Sequence, residues 1–77
     1  MDIIEILSKG DTLTKDIIDI ISSREPDRNV YNIRISLSSR LKEMMEDGLV
    51  DYRIAENKNK CWFLTDEAKK RFNINLP

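Results

Sequence analysis

The sequence predicts a small α+β domain in which three helices are followed by a β-hairpin and a short last helix. Three observations predict it. Apolar residues recur at intervals of three and four between Val30 and Met44, as in a helix that faces a core. Apolar and polar residues then alternate over Leu49–Ala55, as in a half-buried strand. A polar turn and a second apolar run, Lys60–Leu64, complete the hairpin.

The chain has 77 residues, which predicts a single domain over residues 1–77. A single Cys excludes an intramolecular disulfide, so packing alone holds the fold, as suits a reducing compartment. No apolar stretch approaches the roughly 20 residues of a membrane span, and Met1 is followed by acidic residues rather than a basic signal-peptide start. We expect a cytoplasmic protein, in the nucleoid or a host cytoplasm, with no membrane partner.

The first two helices are both unusually apolar. We expect one over Asp2–Lys9, ending at Gly10, and a second that runs to about Ser23 with Thr12 or Thr14 as its N-cap. In each, isoleucines and leucines cover an arc wider than the roughly 100° that a one-sided surface helix needs. Both helices are therefore expected to be covered on more than one side, by the domain core or by a second subunit.

The third helix is predicted over Val30–Asp47, after a loop at Ser22–Asn29. Pro26 in that loop disfavours helix at Glu25, and Gly48 ends the helix. The apolar pattern of the second helix ends at Ile21 and that of the third begins at Val30, so either the connecting turn is long or the third helix gains N-terminal turns. The inward stripe consists of Val30, Ile33, Leu37, Leu41 and Met44.

The hairpin and the last helix follow from alternation and capping. On the first strand the inner side carries Val50, Tyr52 and Ile54, and the outer side Asp51 and Arg53. Glu56–Asn59 is a polar turn, and Thr65 is the expected N-cap of a short helix over Asp66–Phe72.

An ordered set of short motifs covers about half of the chain. An acidic helix end, Glu46-Asp47, precedes Gly48-Leu49-Val50, and the second hairpin strand ends in Trp62-Phe63-Leu64-Thr65. In this order the motifs resemble the winged helix-turn-helix superfamily of small prokaryotic and archaeal regulators, of the MarR, PadR and ArsR kind. The resemblance implies a winged-helix fold that binds double-stranded DNA, with the third helix in the major groove and the hairpin as the wing.

The charge distribution is mild. Residues 1–23 carry a net charge of −3, residues 24–60 carry +1 and residues 61–77 carry +1, which gives the formal −1 of the chain. A DNA-binding surface in this protein therefore depends on the placement of individual side chains rather than on an overall basic charge.

When Leu37 points inward, a step of about 100° per residue defines the outward face of the third helix. The residues on this face are Arg28, Asn32, Ile35, Ser39, Lys42 and Glu46. Tyr31, Ser36, Ser38 and Glu43 flank this face. The predicted DNA-binding residues are Arg28, Asn32, Arg34, Ile35, Ser36, Ser39, Arg40 and Lys42, with Arg53, Lys58 and Lys60 in the hairpin. We expect Asn32 to pair with adenine, Ile35 to touch a thymine methyl group, and the serines to meet base edges or phosphate. The cationic side chains are expected to hold phosphates.

For several of these residues, a role in packing is the alternative to contact with DNA. Arg34 and Arg40 are equally suited to cover the edge of the core with their stems. Ile35 is as readily covered by the long preceding loop. Glu43 and Glu46 repel phosphate, so the C-terminal half of the helix is expected to leave the groove.

Catalysis and cofactors are not expected. The chain has no His, a single Cys and no Gly-rich phosphate loop, so it lacks the usual nucleophile–base pairs and zinc ligands. Trp62 and Tyr52 are interpreted as core residues in preference to base-stacking platforms. Cys61 is interpreted as a packing residue, with a redox role as the alternative. No small-molecule ligand is expected.

The expected function is that of a sequence-specific transcriptional regulator, most simply a repressor, binding an inverted repeat as a homodimer. The alternation of Phe72, Ile74 and Leu76 suggests an arm that reaches a second subunit, unless it packs on the first helix. Two other functions stay open: a winged-helix protein-interaction module, and a replication or partition factor. Such minimal proteins resemble those of prokaryotic mobile elements and archaeal viruses.

Overall fold

The computed structural model describes residues 3–73, and these form an α+β domain with four α-helices and a three-stranded antiparallel sheet. The helices are α1 (Ile3–Ser8), α2 (Thr14–Arg24), α3 (Val30–Glu46) and α4 (Asp66–Arg71). The strands are β1 (Thr12–Leu13), β2 (Val50–Ile54) and β3 (Lys60–Leu64), in the order β1-β3-β2. The predicted succession of three helices, a hairpin and a short helix is confirmed. Asp2 and the tail residues Ile74 and Leu76 lie outside the described residues.

One apolar core joins the helices to one face of the sheet. Its members are Ile3, Ile6, Leu7, Ile17, Ile18, Ile21, Ile33, Leu37, Leu41, Met44, Val50, Trp62, Leu64 and Ala68. Ile4 and Ile20, at the margins of α1 and α2, also pack against it. The wide apolar arcs of these two helices therefore lie mostly against the chain's own core, with Ile4 and Ile20 only partly buried. Among the described residues, no helix is both long and apolar enough to cross a membrane.

Local signals fix both ends of α3. The Asn29 side chain accepts a hydrogen bond from the backbone N–H of Tyr31 (2.7 Å), which caps the first turn. At the other end, the Gly48 N–H bonds to the Met45 carbonyl and the Leu49 N–H to the Met44 carbonyl, the pattern of a Schellman motif. Gly48 adopts φ +76°, which lets the chain turn at once into β2.

Thr65 joins α4 to the end of α3. Its hydroxyl accepts a hydrogen bond from the Ala68 N–H (3.1 Å) and donates one to the Gly48 carbonyl (2.6 Å). The predicted N-cap is confirmed, and the same side chain also holds the turn that leads into β2.

The prediction that Thr12 or Thr14 caps the second helix is wrong. Thr12 and Leu13 form β1 and pair with β3, in the register Thr12↔Trp62 and Leu13↔Cys61. The N-cap position of α2 is Leu13, which makes no side-chain capping bond. The hydroxyl of Thr14 instead accepts a hydrogen bond from the indole N–H of Trp62 (2.8 Å), because a buried indole N–H requires an acceptor.

Two residues expected to face the core are exposed. Val30 is 51% exposed and Ile54 is 59% exposed. Each lies at the end of its element, and periodicity gives the direction of a side chain but not how far the core extends along the element.

The loop between α2 and α3 is shorter than predicted. α2 continues to Arg24, so only residues 25–29 connect it to α3.

Candidate nucleic-acid interface

The exposed surface of α3 is basic along most of its length. Residues 28–42 contain four basic residues and no Asp or Glu, although the whole chain has 14 acidic residues. Burial of Ile33 and Leu37 on one side leaves the opposite side of the helix in solvent. The predicted residues Asn32, Arg34, Ile35, Ser39, Arg40 and Lys42 are all exposed there. Of the four basic residues, only Arg28 is in an ion pair among the described residues.

A groove separates α3 from the β2–β3 hairpin. It encloses about 430 Å³ and is lined by Thr14, Ser38, Leu41, Lys42, Met45, Tyr52, Lys60 and Trp62. The lining contains two cations and no carboxylate, so the groove favours an anion. The groove also brings together Lys42 of α3 and Lys60 of β3, two residues that were both predicted to bind DNA.

The Lys60 side chain lies over the ring of Tyr52, which packs against the ring of Trp62. Its ammonium lies 4.7 Å from the centroid of the Tyr52 ring, and that ring lies 5.0 Å from the Trp62 ring at an angle of 51°. Trp62 is in turn bonded to Thr14. Trp62 is buried and Tyr52 is half-buried, as predicted for core residues.

The opposite flank of α3 has a different character. Arg40, Glu43 and Asp47 line a depression of about 270 Å³ against α1, together with Ile3, Ile4, Met44 and Leu49. Here one cation lies beside two carboxylates. The structure therefore places Arg40 on the flank of α3 away from Lys42, and the acidic residues lie at the C-terminal end of the helix.

Arg28 and Ser36 are engaged with each other. The Arg28 guanidinium donates to the Ser36 hydroxyl (2.9 Å) and to the carboxylate of Glu25 (3.2 Å). These bonds tie the loop between α2 and α3 to the second turn of α3. Both residues were predicted to contact DNA, and in the structure their polar groups form hydrogen bonds that hold the loop between α2 and α3.

Arg53 lies apart from the other predicted residues. It pairs with Cys61 in the sheet register, whereas Tyr52 pairs with Trp62, so Arg53 points away from the groove. Its guanidinium forms an ion pair with Asp11 across the sheet. The hydrogen bond from Arg53 to Asp11 raises the pKa of Arg53 above its usual value, and the electrostatic interaction with Cys61 raises it further. Cys61 is buried and free, on the face of the sheet opposite to the Trp62 side chain.

The hairpin turn exposes Lys58 in an unusual backbone conformation. Asn57 (φ +65°) and Lys58 (φ +61°) are both left-handed, within a 3₁₀ turn over Glu56–Lys58. Asn adopts this conformation readily, whereas Lys does so at a cost. The turn holds the Lys58 side chain in solvent at the tip of the hairpin.

The structure adds three residues to this surface that were not among the predicted DNA-binding residues: Tyr31, Ser38 and Met45. Tyr31 is 68% exposed and Ile35 is 49% exposed, and together with Ser38, Lys42 and Met45 they recur at spacings of four, three, four and three. We call these five residues the hairpin-side stripe, because its last three members line the groove. The spacing was readable in the sequence, but it did not show which flank of α3 the hairpin adjoins.

Comparison with protein-family models, with curated proteins and with solved structures finds no significant match to this chain. Within residues 3–73 there is no group of three or more His, Cys, Asp or Glu side chains that could hold a metal ion.

Proposed function

We propose that this protein is a winged helix-turn-helix protein that binds double-stranded DNA, with α3 in the major groove and the β2–β3 hairpin as the wing. The observation that carries the proposal is that residues 28–42 contain four basic residues and no Asp or Glu. The groove that leads from this surface to Lys60 is likewise lined by no carboxylate. A surface of this kind attracts phosphate even on a chain whose net charge is −1.

The order of elements supports the same proposal. α3 follows α2 after a connection of five residues, and the hairpin begins four residues after α3 ends. An α-helix with a free outer side fits the major groove, and a hairpin beside it reaches the adjacent backbone. Asn32, whose side chain makes no hydrogen bond among the described residues, is the free amide that can pair with adenine.

We further propose a role as a sequence-specific regulator, most simply a repressor, that acts in the cytoplasm as a homodimer on an inverted repeat. One exposed helix of this length reads only a few base pairs, and two-fold pairing doubles the site. Sedimentation at micromolar concentration tests the dimer, and the symmetry of selected binding sites tests the inverted repeat.

A protein-interaction module is the second candidate. It is favoured by one observation, the exposed apolar residues Val30, Tyr31 and Ile35 in the first two turns of α3. A partner with an acidic, amphipathic surface would suit this part of the molecule.

Fluorescence anisotropy with a labelled random duplex separates the two functions. We expect binding at about 50 mM salt that weakens strongly by about 200 mM, because each phosphate contact releases counterions. Selection of bound sequences at the higher salt is then expected to yield a consensus site. Absence of any duplex binding at the lower salt would overturn the proposal in favour of the interaction module.

A further inference from the structure

We infer that Tyr31 and Ile35 read the 5-methyl groups of thymines in the major groove, beside the adenine that Asn32 is proposed to pair with. The inference rests on the proposed function. It names which chemical groups of the DNA determine the sequence preference and which two side chains recognise them.

The two side chains form one apolar surface. They lie four residues apart, which places them one above the other on the same side of the helix. Tyr31 is 68% exposed and Ile35 is 49% exposed, so the fold itself leaves both of them uncovered. They also begin the hairpin-side stripe, which leads directly to Lys42 and the groove. The apolar surface is therefore aligned with the part of the molecule that favours anions.

Two of the neighbouring polar side chains, Asn29 and Ser36, are engaged in hydrogen bonds within the chain. Asn29 accepts the capping hydrogen bond from the backbone of Tyr31. Ser36 accepts a hydrogen bond from Arg28, which also holds Glu25. Within the described part of the chain, Asn32 keeps a free amide at this end of α3, but most of the exposed surface that Tyr31 and Ile35 present is apolar. Apolar surface matches thymine methyl groups rather than the amino or carbonyl groups of the bases.

The charge around the surface selects the occupant. No acidic residue occurs from Arg28 to Lys42, and Arg34 lies beside Tyr31 and Ile35 on the helix without an ion-pair partner among the described residues. A polyanion that presents isolated methyl groups between its phosphates complements this arrangement. Duplex DNA with thymine in the major groove has that chemistry.

Replacement of thymine by deoxyuridine tests the inference, because it removes only the methyl group. The selected duplex is resynthesised with deoxyuridine at one thymine at a time, and Kd is measured at one fixed salt concentration. We expect about a fourfold loss of affinity at one or two positions, the loss that corresponds to about 0.8 kcal/mol per methyl group. Ile35→Ser and Tyr31→Ala are each expected to abolish the preference for thymine over deoxyuridine at one of these positions.

Conservative variants serve as controls. Ile35→Val and Tyr31→Phe keep apolar surface at each position and are expected to keep the preference for thymine. Phe72→Ala, at an exposed apolar residue outside α3, is expected to keep it in full. If the duplex is bound but deoxyuridine never weakens binding, or if either Ile35→Ser or Tyr31→Ala keeps the preference at every position, the inference is wrong and the proposed function stands. If no duplex is bound at all, the proposed function itself fails.

Discussion

The ammonium of Lys60 lies 4.7 Å from the centroid of the Tyr52 ring, at the groove between α3 and the hairpin. A cation over an aromatic face is attracted to it by about 0.5–1 kcal/mol at an exposed site. Tyr52 therefore positions the Lys60 cation toward the groove.

We expect Tyr52→Leu to weaken duplex binding by about two- to fivefold, because Lys60 loses the ring that positions it. The slope of log K against log salt is expected to stay unchanged, since the number of cations is the same. Tyr52→Phe keeps the ring and is expected to bind like the natural protein. Equal binding by the Leu and Phe variants, measured by anisotropy, would show that the ring has no such role.

A second prediction concerns the hairpin tip, where stability and binding are expected to change in opposite directions. Lys58 is left-handed at φ +61°, a conformation that glycine adopts without steric cost. We expect Lys58→Gly to raise the free energy of unfolding by about 1 kcal/mol while weakening duplex binding through loss of the charge. Thermal unfolding gives the first quantity and anisotropy the second.

Asn57→Gly is the matched control for this effect. Asn57 is also left-handed, but Asn tolerates this conformation better than Lys, so a smaller gain in stability and no change in salt dependence are expected. A loss of stability in Lys58→Gly would contradict the backbone conformation described for the turn.

A third prediction concerns the turn between α3 and β2. Gly48 has φ +76°, and a Cβ placed there would lie 2.8 Å from Oε2 of Glu67. The Glu67 side chain is exposed and paired with Arg71 at the surface, so it can move aside. We expect Gly48→Ala to lower the free energy of unfolding by about 1–2 kcal/mol through the left-handed backbone alone.

Combining the substitution with Glu67→Ala separates the backbone from the steric contact. The cost of Gly48→Ala, measured by denaturant unfolding, is expected to persist when Glu67 is already Ala. Its disappearance in that background would assign the cost to the side-chain contact instead.

The elements that the sequence predicted well are those fixed by local signals. The three-and-four spacing within α3, the Schellman turn at Gly48 and the cap at Thr65 each depend on residues close together in the chain. The missed strand β1 has only two residues, and its stability comes from pairing with β3, about 50 residues away in the chain. Propensity over so short a segment carries little information.

The candidate site was predicted less completely than the fold. The basic outer surface of α3 followed from periodicity, but the partners of Arg28 and Arg53 did not, because ion pairs depend on which elements come together in space. The flank of α3 that adjoins the hairpin was likewise not readable. That arrangement gives Tyr31, Ser38 and Met45 their places in the hairpin-side stripe.

α3 and the hairpin are proposed to form the DNA-binding surface together. The salt dependence of duplex binding tests this proposal with two double variants that have the same change in net charge. One variant, Lys42→Ala with Lys58→Ala, removes cations from the proposed surface. The other, Lys9→Ala with Lys70→Ala, removes exposed cations from outside it.

We expect the first variant to reduce the magnitude of the slope of log K against log salt by about 1.8, since each phosphate contact contributes about 0.9. The second variant is expected to keep the slope of the natural protein. Equal slopes for the two variants would show that α3 and the hairpin do not form the binding surface, because binding would then depend on overall charge alone.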